Sequence, residues 1–302
     1  MNCTIFKAVS LFLLLGLSSC SKEERAYQPS YSSQPADSAR KIYNFGFMPL
    51  HNPKMVLERY GPILNYLNKN IEGVHFTFET SRNYEEFDKK LYSAAFAFAL
   101  VNPYEAVNAM QHGYHVFAKM GDDDYFRGLV LVRRDSGIRE IADLKGKTVT
   151  FPAKTALAAT MMTQYFLQTN GLDVNKDIEI SYVGSQESSI TNVYLGNVTA
   201  ATASMRPWLT YQRAHPDQAA QLEVKWTTDH LINNGLMARD DMPPELVQRV
   251  AGLFDKLHES QEGRAMLKNV LISRFELAND ATYDVVHVFL DQFSRAVRPL
   301  VQ

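Results

Sequence analysis

The sequence predicts an α/β protein of two lobes, each a Rossmann-like layer of strands and helices, joined by strands at a hinge. Three observations carry this. Strand-like and helix-like periodicities alternate in two successive series. Residues 95–101 (AFAFALV) are uniformly apolar, as a central parallel strand buried on both faces requires. At 302 residues the chain exceeds the roughly 250–300 at which single cores stop growing.

In the first series, 42–48 (IYNFGFM) reads as a strand ended by Pro49. Residues 53–70 place Met55, Val56, Tyr60, Ile63, Leu64 and Leu67 at helical spacing. Residues 74–79 (VHFTFE) alternate as a strand, and 83–92 form a helix with Asn83 as its N-cap. After the apolar strand, Pro103 opens a helix to about residue 112, and 114–120 is a strand. This order predicts a parallel sheet with right-handed crossovers.

The second series begins with the strand 126–133 (FRGLVLVR), a helical turn at 138–144 and the strand 147–151. A helix over 155–169 ends at Gly171. Strand, helix and strand follow at 178–183, 188–195 and 200–203, then strands at 222–226 and 236–239. Helices at 243–258, 261–268 and 282–297 close the chain. The strands 126–133 and 236–239 are the expected hinge crossings. Lobe 1 is therefore expected over 41–130 plus 236–302, and lobe 2 over 131–235.

The first 40 residues read as an address and a tether. Lys7 precedes an apolar run from Val9 to Leu17, too short for a stable membrane span but suited to a signal peptide. Leu17-Ser18-Ser19-Cys20 resembles a bacterial lipobox, which implies cleavage of residues 1–19 and lipid on Cys20. Residues 21–40 are rich in Ser and Pro and read as a flexible tether from the lipidated Cys20. Lipid would hold the protein to a membrane in the cell envelope, facing the periplasm or the exterior.

Composition excludes several classes. With 31 Lys+Arg against 33 Asp+Glu, the formal charge of −2 does not suit a nucleic-acid binder. The two cysteines, Cys3 and Cys20, leave no disulfide scaffold and no CxxC metal site. Asp122-Asp123-Asp124 lacks further ligands at EF-hand spacing, and His112 and His115 lack partners, so no metal or cofactor is expected. No G-x-S-x-G, H-E-x-x-H or Walker A motif occurs, and no enzymatic chemistry is expected.

Several segments carry a resemblance. They are Phe45-Gly46-Phe47-Met48-Pro49, Asn102-Pro103-Tyr104-Glu105-Ala106-Val107, Tyr125 to Val132, Asp135-Ser136-Gly137-Ile138 and Asp143-Leu144-Lys145-Gly146-Lys147-Thr148-Val149. In order and spacing, over about residues 41–290, these resemble the phosphate/phosphite/phosphonate-binding proteins of ABC importers. The resemblance implies a type II periplasmic-binding-protein-like fold. It also implies a monomer that captures a small oxyanion between its lobes and delivers it to ABC permease subunits. The same fold can instead feed a membrane sensor kinase, or hold another small organic anion. Where the family commonly carries Pro-x-Ser-Thr-Ser-Gly, this chain has Pro152-Ala153-Lys154-Thr155-Ala156-Leu157. Its Gly-His-Glu/Asp becomes Ser185-Gln186-Glu187, and its Gly-x-Val-Asp becomes Gly196-Asn197-Val198-Thr199. The acidic position that can meet a ligand amine falls near Arg206.

The candidate ligand residues follow from chemistry and position. Thr155 stands where a helix N-terminus is expected, with unpaired N–H groups that attract anions, and Lys154 adds charge. The alternatives are a simple cap and a solvated lysine. Gln186 precedes a helix and can donate an amide, and Arg206 offers a bidentate fork. Asn102 at a strand end and Asn234 beside a crossing are further candidates. Met48 and His51 follow the first strand, where the family presents cleft residues.

Overall fold

The computed structural model describes residues 40–300. The expected signal peptide, Cys20 and most of the tether lie outside the described residues. None of the described helices is long and apolar enough to cross a membrane.

The first series is β1 (Lys41–Phe47), α1 (Pro53–Asn70), β2 (Val74–Thr80), α2 (Tyr84–Tyr92), β3 (Phe98–Val101), α3 (Pro103–Ala109) and β4 (Tyr114–Met120). The second is β5 (Arg127–Arg133), β6 (Lys147–Phe151), α4 (Thr163–Thr169), β7 (Ile178–Tyr182), α5 (Gln186–Tyr194), β8 (Ala200–Ser204), α6 (Met205–Ala214), α7 (Pro216–Ala219) and β9 (Leu222–His230). The chain then returns through β10 (Gly235–Arg239), α8 (Pro244–Asp255), α9 (Gln261–Val270), β11 (Phe275–Leu277) and α10 (Asp284–Ala296). Helix starts follow local capping chemistry. The Asn52 side chain accepts from Met55 N at 3.0 Å, and Asn83 accepts from Glu86 N at 2.9 Å.

The strands form two sheets, ordered β11-β4-β10-β3-β1-β2 and β7-β6-β8-β5-β9. Pairing of β1 with β2 and β3, and of β6 with β7 and β8, is parallel, as the βα alternation predicts. Three strands depart from that expectation: the short β11 lies antiparallel at the edge on β4, and the other two follow a change of sheet. β10 lies antiparallel between β3 and β4, and β5 lies antiparallel between β8 and β9. Each is the first strand after the chain changes sheet, so it enters from the opposite end. The two strands expected to carry the hinge each lie in one sheet; the crossings are residues 121–126 and 231–234. The expected boundary between 130 and 131 thus falls inside β5.

The first sheet packs an aromatic core. Phe45, Phe47, Phe76 and Phe98 are at most 2% exposed, and Phe45 stacks on Phe47 with centroids 4.8 Å apart. Several hydrogen bonds join the lobes. Asn52 Nδ2 donates to Glu187 Oε2 (3.0 Å), Asn102 Nδ2 to the Thr155 carbonyl (3.2 Å) and Thr155 Oγ1 to Asp88 Oδ2 (2.9 Å). Arg206 Nε donates to the Leu271 carbonyl (2.9 Å), and Asn175 Nδ2 to the Val297 carbonyl (2.7 Å).

Candidate functional site

The carboxyl ends of β1, β3, β6 and β8 and the two crossings converge on a cavity of about 40 Å³ between the lobes. That is space for roughly three water-sized groups. Ligands of open α/β sheets bind beyond the carboxyl ends of strands. The lining includes Arg59, Tyr60 and His51 from the first lobe, and Gln186, Ser204, Arg206 and Thr210 from the second. Residues Ala156 to Ala159, Asn102 and Asn234 complete its polar face. Among the described residues no aspartate or glutamate lines it.

The main-chain part of the site comes from an irregular helix start. Residues Leu157–Met162 form a π-helical turn that runs into α4. Its first bonds run from Thr160 N (2.8 Å) and Met161 N (3.4 Å) to the Ala156 carbonyl. The N–H groups of Leu157, Ala158 and Ala159 precede that ladder, on residues that line the cavity. Gly128 in β5 makes room for this turn. A Cβ there would lie 2.2 Å from the Ala158 carbonyl oxygen and 2.6 Å from Thr163 Cγ2.

Two guanidinium groups supply charge. The Arg206 side chain is 11% exposed, and its Nη2 donates to the Gly121 carbonyl at 3.2 Å. Its Nη2 lies 3.6 Å from Asp122 Oδ2. That carboxylate already accepts from Ser273 N and Oγ at 2.7 and 2.6 Å. Arg59 Nη1 donates to the Asn269 carbonyl at 2.7 Å. Burial lowers the pKa of both groups, Arg206 and Arg59, yet a guanidinium stays charged. His51 responds to the same field. Burial, then the Arg59 charge, push its pKa down to about 3, so the imidazole is neutral.

Neutral polar atoms finish the wall. Gln186 Oε1 accepts from Ser204 N (2.6 Å) and Ser204 Oγ (2.9 Å), which fixes the amide against the start of α6. Its Nε2 faces the Tyr84 hydroxyl at 3.5 Å. Asn234 Nδ2 is taken by Met120 Sδ at 3.4 Å. Asn234 Oδ1 and Thr210 Oγ1 are buried with no partner.

Of the candidates from the sequence, His51, Asn102, Gln186, Arg206 and Asn234 meet at this cavity. Lys154, Thr155 and Met48 do not. Met48 is 1% exposed in the core, where its N–H donates to the Leu100 carbonyl at 3.1 Å. The helix expected to open at Thr155 opens at Leu157, and the Thr155 hydroxyl is committed to Asp88. Lys154 Nζ stands 5.8 Å from the centre of the Tyr182 ring. Both residues line a separate cavity of about 620 Å³, together with Tyr84, Asp88, Tyr92 and Tyr104. The sequence does not single out Arg59, which reads as one more polar position on an amphipathic helix, nor Gly128, which sits inside an apolar strand. Asp122 and Asp123 act in the crossing: Asp123 accepts from Lys119 Nζ (3.0 Å) and Asn233 N (3.0 Å). Among the described residues no group of three or more His, Cys, Asp or Glu is placed to hold a metal ion.

Known proteins are similar to this chain in sequence family and in fold. The family model described as ABC transporter, phosphonate, periplasmic substrate-binding protein matches residues 45–283. A probable ABC transporter phosphite binding protein of Prochlorococcus marinus (strain MIT 9301), PhnD1, is 22% identical over 135 residues. That match covers 42% of this chain and 46% of the relative, so it spans about half the length of each. The structure of that PhnD1 in complex with methylphosphonate aligns with a TM-score of 0.77 at 17% identity, covering 84% of this chain and 99% of that one. A binding protein component of an ABC phosphonate transporter from Pseudomonas aeruginosa aligns with a TM-score of 0.76 at 18% identity, covering 84% and 87%. At such identities the structural likeness speaks for the fold.

Proposed function

The chain belongs to the periplasmic substrate-binding proteins of phosphonate ABC transporters, and from that premise we propose that its interlobe cavity captures a small phosphonate-class oxyanion for delivery to permease subunits. The observation that carries the reading is the lining: two guanidinium groups and the start of the π-helical turn at residues 157–159, with no carboxylate among the described residues. An anion there gains charge-assisted hydrogen bonds from preorganised donors. The unpartnered Asn234 Oδ1 and Thr210 Oγ1 suit an oxyanion that retains a hydroxyl or a protonated oxygen. Capture needs no bond making, and the neutral His51 offers hydrogen bonding without competing charge. The small cavity favours phosphite, phosphate or methylphosphonate over extended organic anions.

A ligand at a hundredfold excess over its Kd stabilises a protein by about 2.7 kcal/mol. Thermal unfolding of the purified protein should therefore shift upward with methylphosphonate, phosphite or phosphate. It should not shift with organic cations or sugars. A response confined to amines or neutral solutes would overturn the assignment.

The Leu17-Ser18-Ser19-Cys20 pattern supports an N-terminal lipid anchor, which would keep the binding protein beside its permease. Mass spectrometry of the mature N-terminal peptide should find a diacylglyceryl-modified Cys20. An unmodified cysteine, or an intact leader, would refute the anchor.

A further inference from the structure

Asn102 and Thr155 belong to a ring of four residues that joins the lobes beside the Arg206 cavity. Glu105 Oε2 accepts from Asn102 N (2.7 Å), and Asn102 Nδ2 donates to the Thr155 carbonyl (3.2 Å). Thr155 Oγ1 in turn donates to Asp88 Oδ2 (2.9 Å). The remaining oxygens, Asp88 Oδ1 and Glu105 Oε1, are buried and receive no other donor. The two buried carboxyls are close neighbours that act on each other directly. Glu105 is 0% and Asp88 9% exposed. Two ionised carboxylates cannot hold that contact, whereas one proton between them closes the ring.

Among the described residues no cation replaces the proton. On α2, Glu85 takes Lys89 (2.7 Å), while Lys90 turns to Glu79 (2.8 Å). The other neighbours are the phenols of Tyr84, Tyr92 and Tyr104. From the second lobe, Lys154 leans on Tyr182, and Arg298 Nη2 bonds the Lys154 carbonyl (2.9 Å). On α10, which packs against α3, Asp284, His287, Asp291 and Arg295 are exposed. Among the described residues no ion pair reaches Asp88 or Glu105.

We propose that Asp88 and Glu105 are positioning residues sharing one proton, and that this proton clasps the loop at 152–156 onto the first lobe and so places the N–H groups of residues 157–159 for the anion. The link to the anion rests on the cleft reading above; the clasp does not.

The consequence for pH has a definite sign. Burial raises both carboxyls, Glu105 well above its ordinary 4.5 and Asp88 to about 6. The folded chain keeps a proton that the unfolded chain releases above about 4.5, so the clasp stabilises in acid and is lost as pH rises through the titration of the pair. His51 acts oppositely. The folded chain refuses its proton until about pH 3, so acid below about 6.5 favours unfolding.

The test compares the full protein with Glu105→Gln, whose amide donates permanently to Asp88, and with Asp88→Asn should that variant fail to fold. The infrared spectrum of the wild type at neutral pH should contain a protonated carboxylic-acid carbonyl band that the variant lacks. Wild-type unfolding stability should fall above neutral pH, and the variant should be flat there. Methylphosphonate affinity should weaken with rising pH by up to about tenfold per unit relative to the variant, the limit for one linked proton. Absence of the band, or parallel stability slopes in the two proteins, would overturn the clasp. Intact band and slopes without any methylphosphonate binding would uphold the clasp and reject the cleft reading instead.

Discussion

Arg206→Ala is expected to weaken oxyanion binding by roughly 100- to 1,000-fold, in line with the 2–5 kcal/mol lost when one partner of a desolvated charge pair is truncated. Three features put the effect at this size. The guanidinium is nearly excluded from water, its fork is fixed by the Leu271 and Gly121 carbonyls, and its ion-pair partner, the Asp122 carboxylate at 3.6 Å, is also held by Ser273. The same substitution removes a bond between α6 and Leu271, so a ligand must then supply more of the closing energy. Arg206→Lys should not restore affinity, because an ammonium cannot hold two carbonyls and an anion in one plane. Calorimetric titration with methylphosphonate measures both variants; an unchanged dissociation constant for the alanine variant would remove Arg206 from the site.

Gly128→Val should be as damaging without removing any polar side chain. Its Cβ would overlap the Ala158 carbonyl and Thr163, so the π-helical turn must lift off β5. Overpacking of this kind costs on the order of 1–3 kcal/mol, and it displaces the turn whose residues line the cavity. Loss of affinity should therefore exceed loss of stability. Gly252→Ala is the control, since a Cβ there meets nothing within 4 Å and alanine favours a helix. Denaturant unfolding and anion titration of the two variants compare these outcomes. A Gly128→Val protein that binds like the wild type would show that the turn does not hold the ligand.

Much of this architecture is legible along the chain. Runs such as 95–101 and the spacing through Tyr60, Ile63, Leu64 and Leu67 mark their elements because burial imposes its period on the sequence. The antiparallel entries of β5 and β10 are not legible, because pairing direction depends on partners far away in sequence. The same limit explains the site. Thr155 has the chemistry of a helix cap, yet its hydroxyl answers to Asp88, 67 residues earlier. Arg206 was identifiable by residue type and position, whereas Arg59 became visible only when α1 turned it toward the crossing. Glu105 closes the capping box that opens α3, and only the fold brings a second carboxyl against it.

The most direct test of the central claim is to locate the anion. A crystal structure with methylphosphonate, using the anomalous signal of phosphorus, should place it between Arg206 and the N–H groups of residues 157–159. Phosphorus beside Lys154 and Tyr182 in the larger cavity, with the Arg206 cavity free of it, would contradict the account.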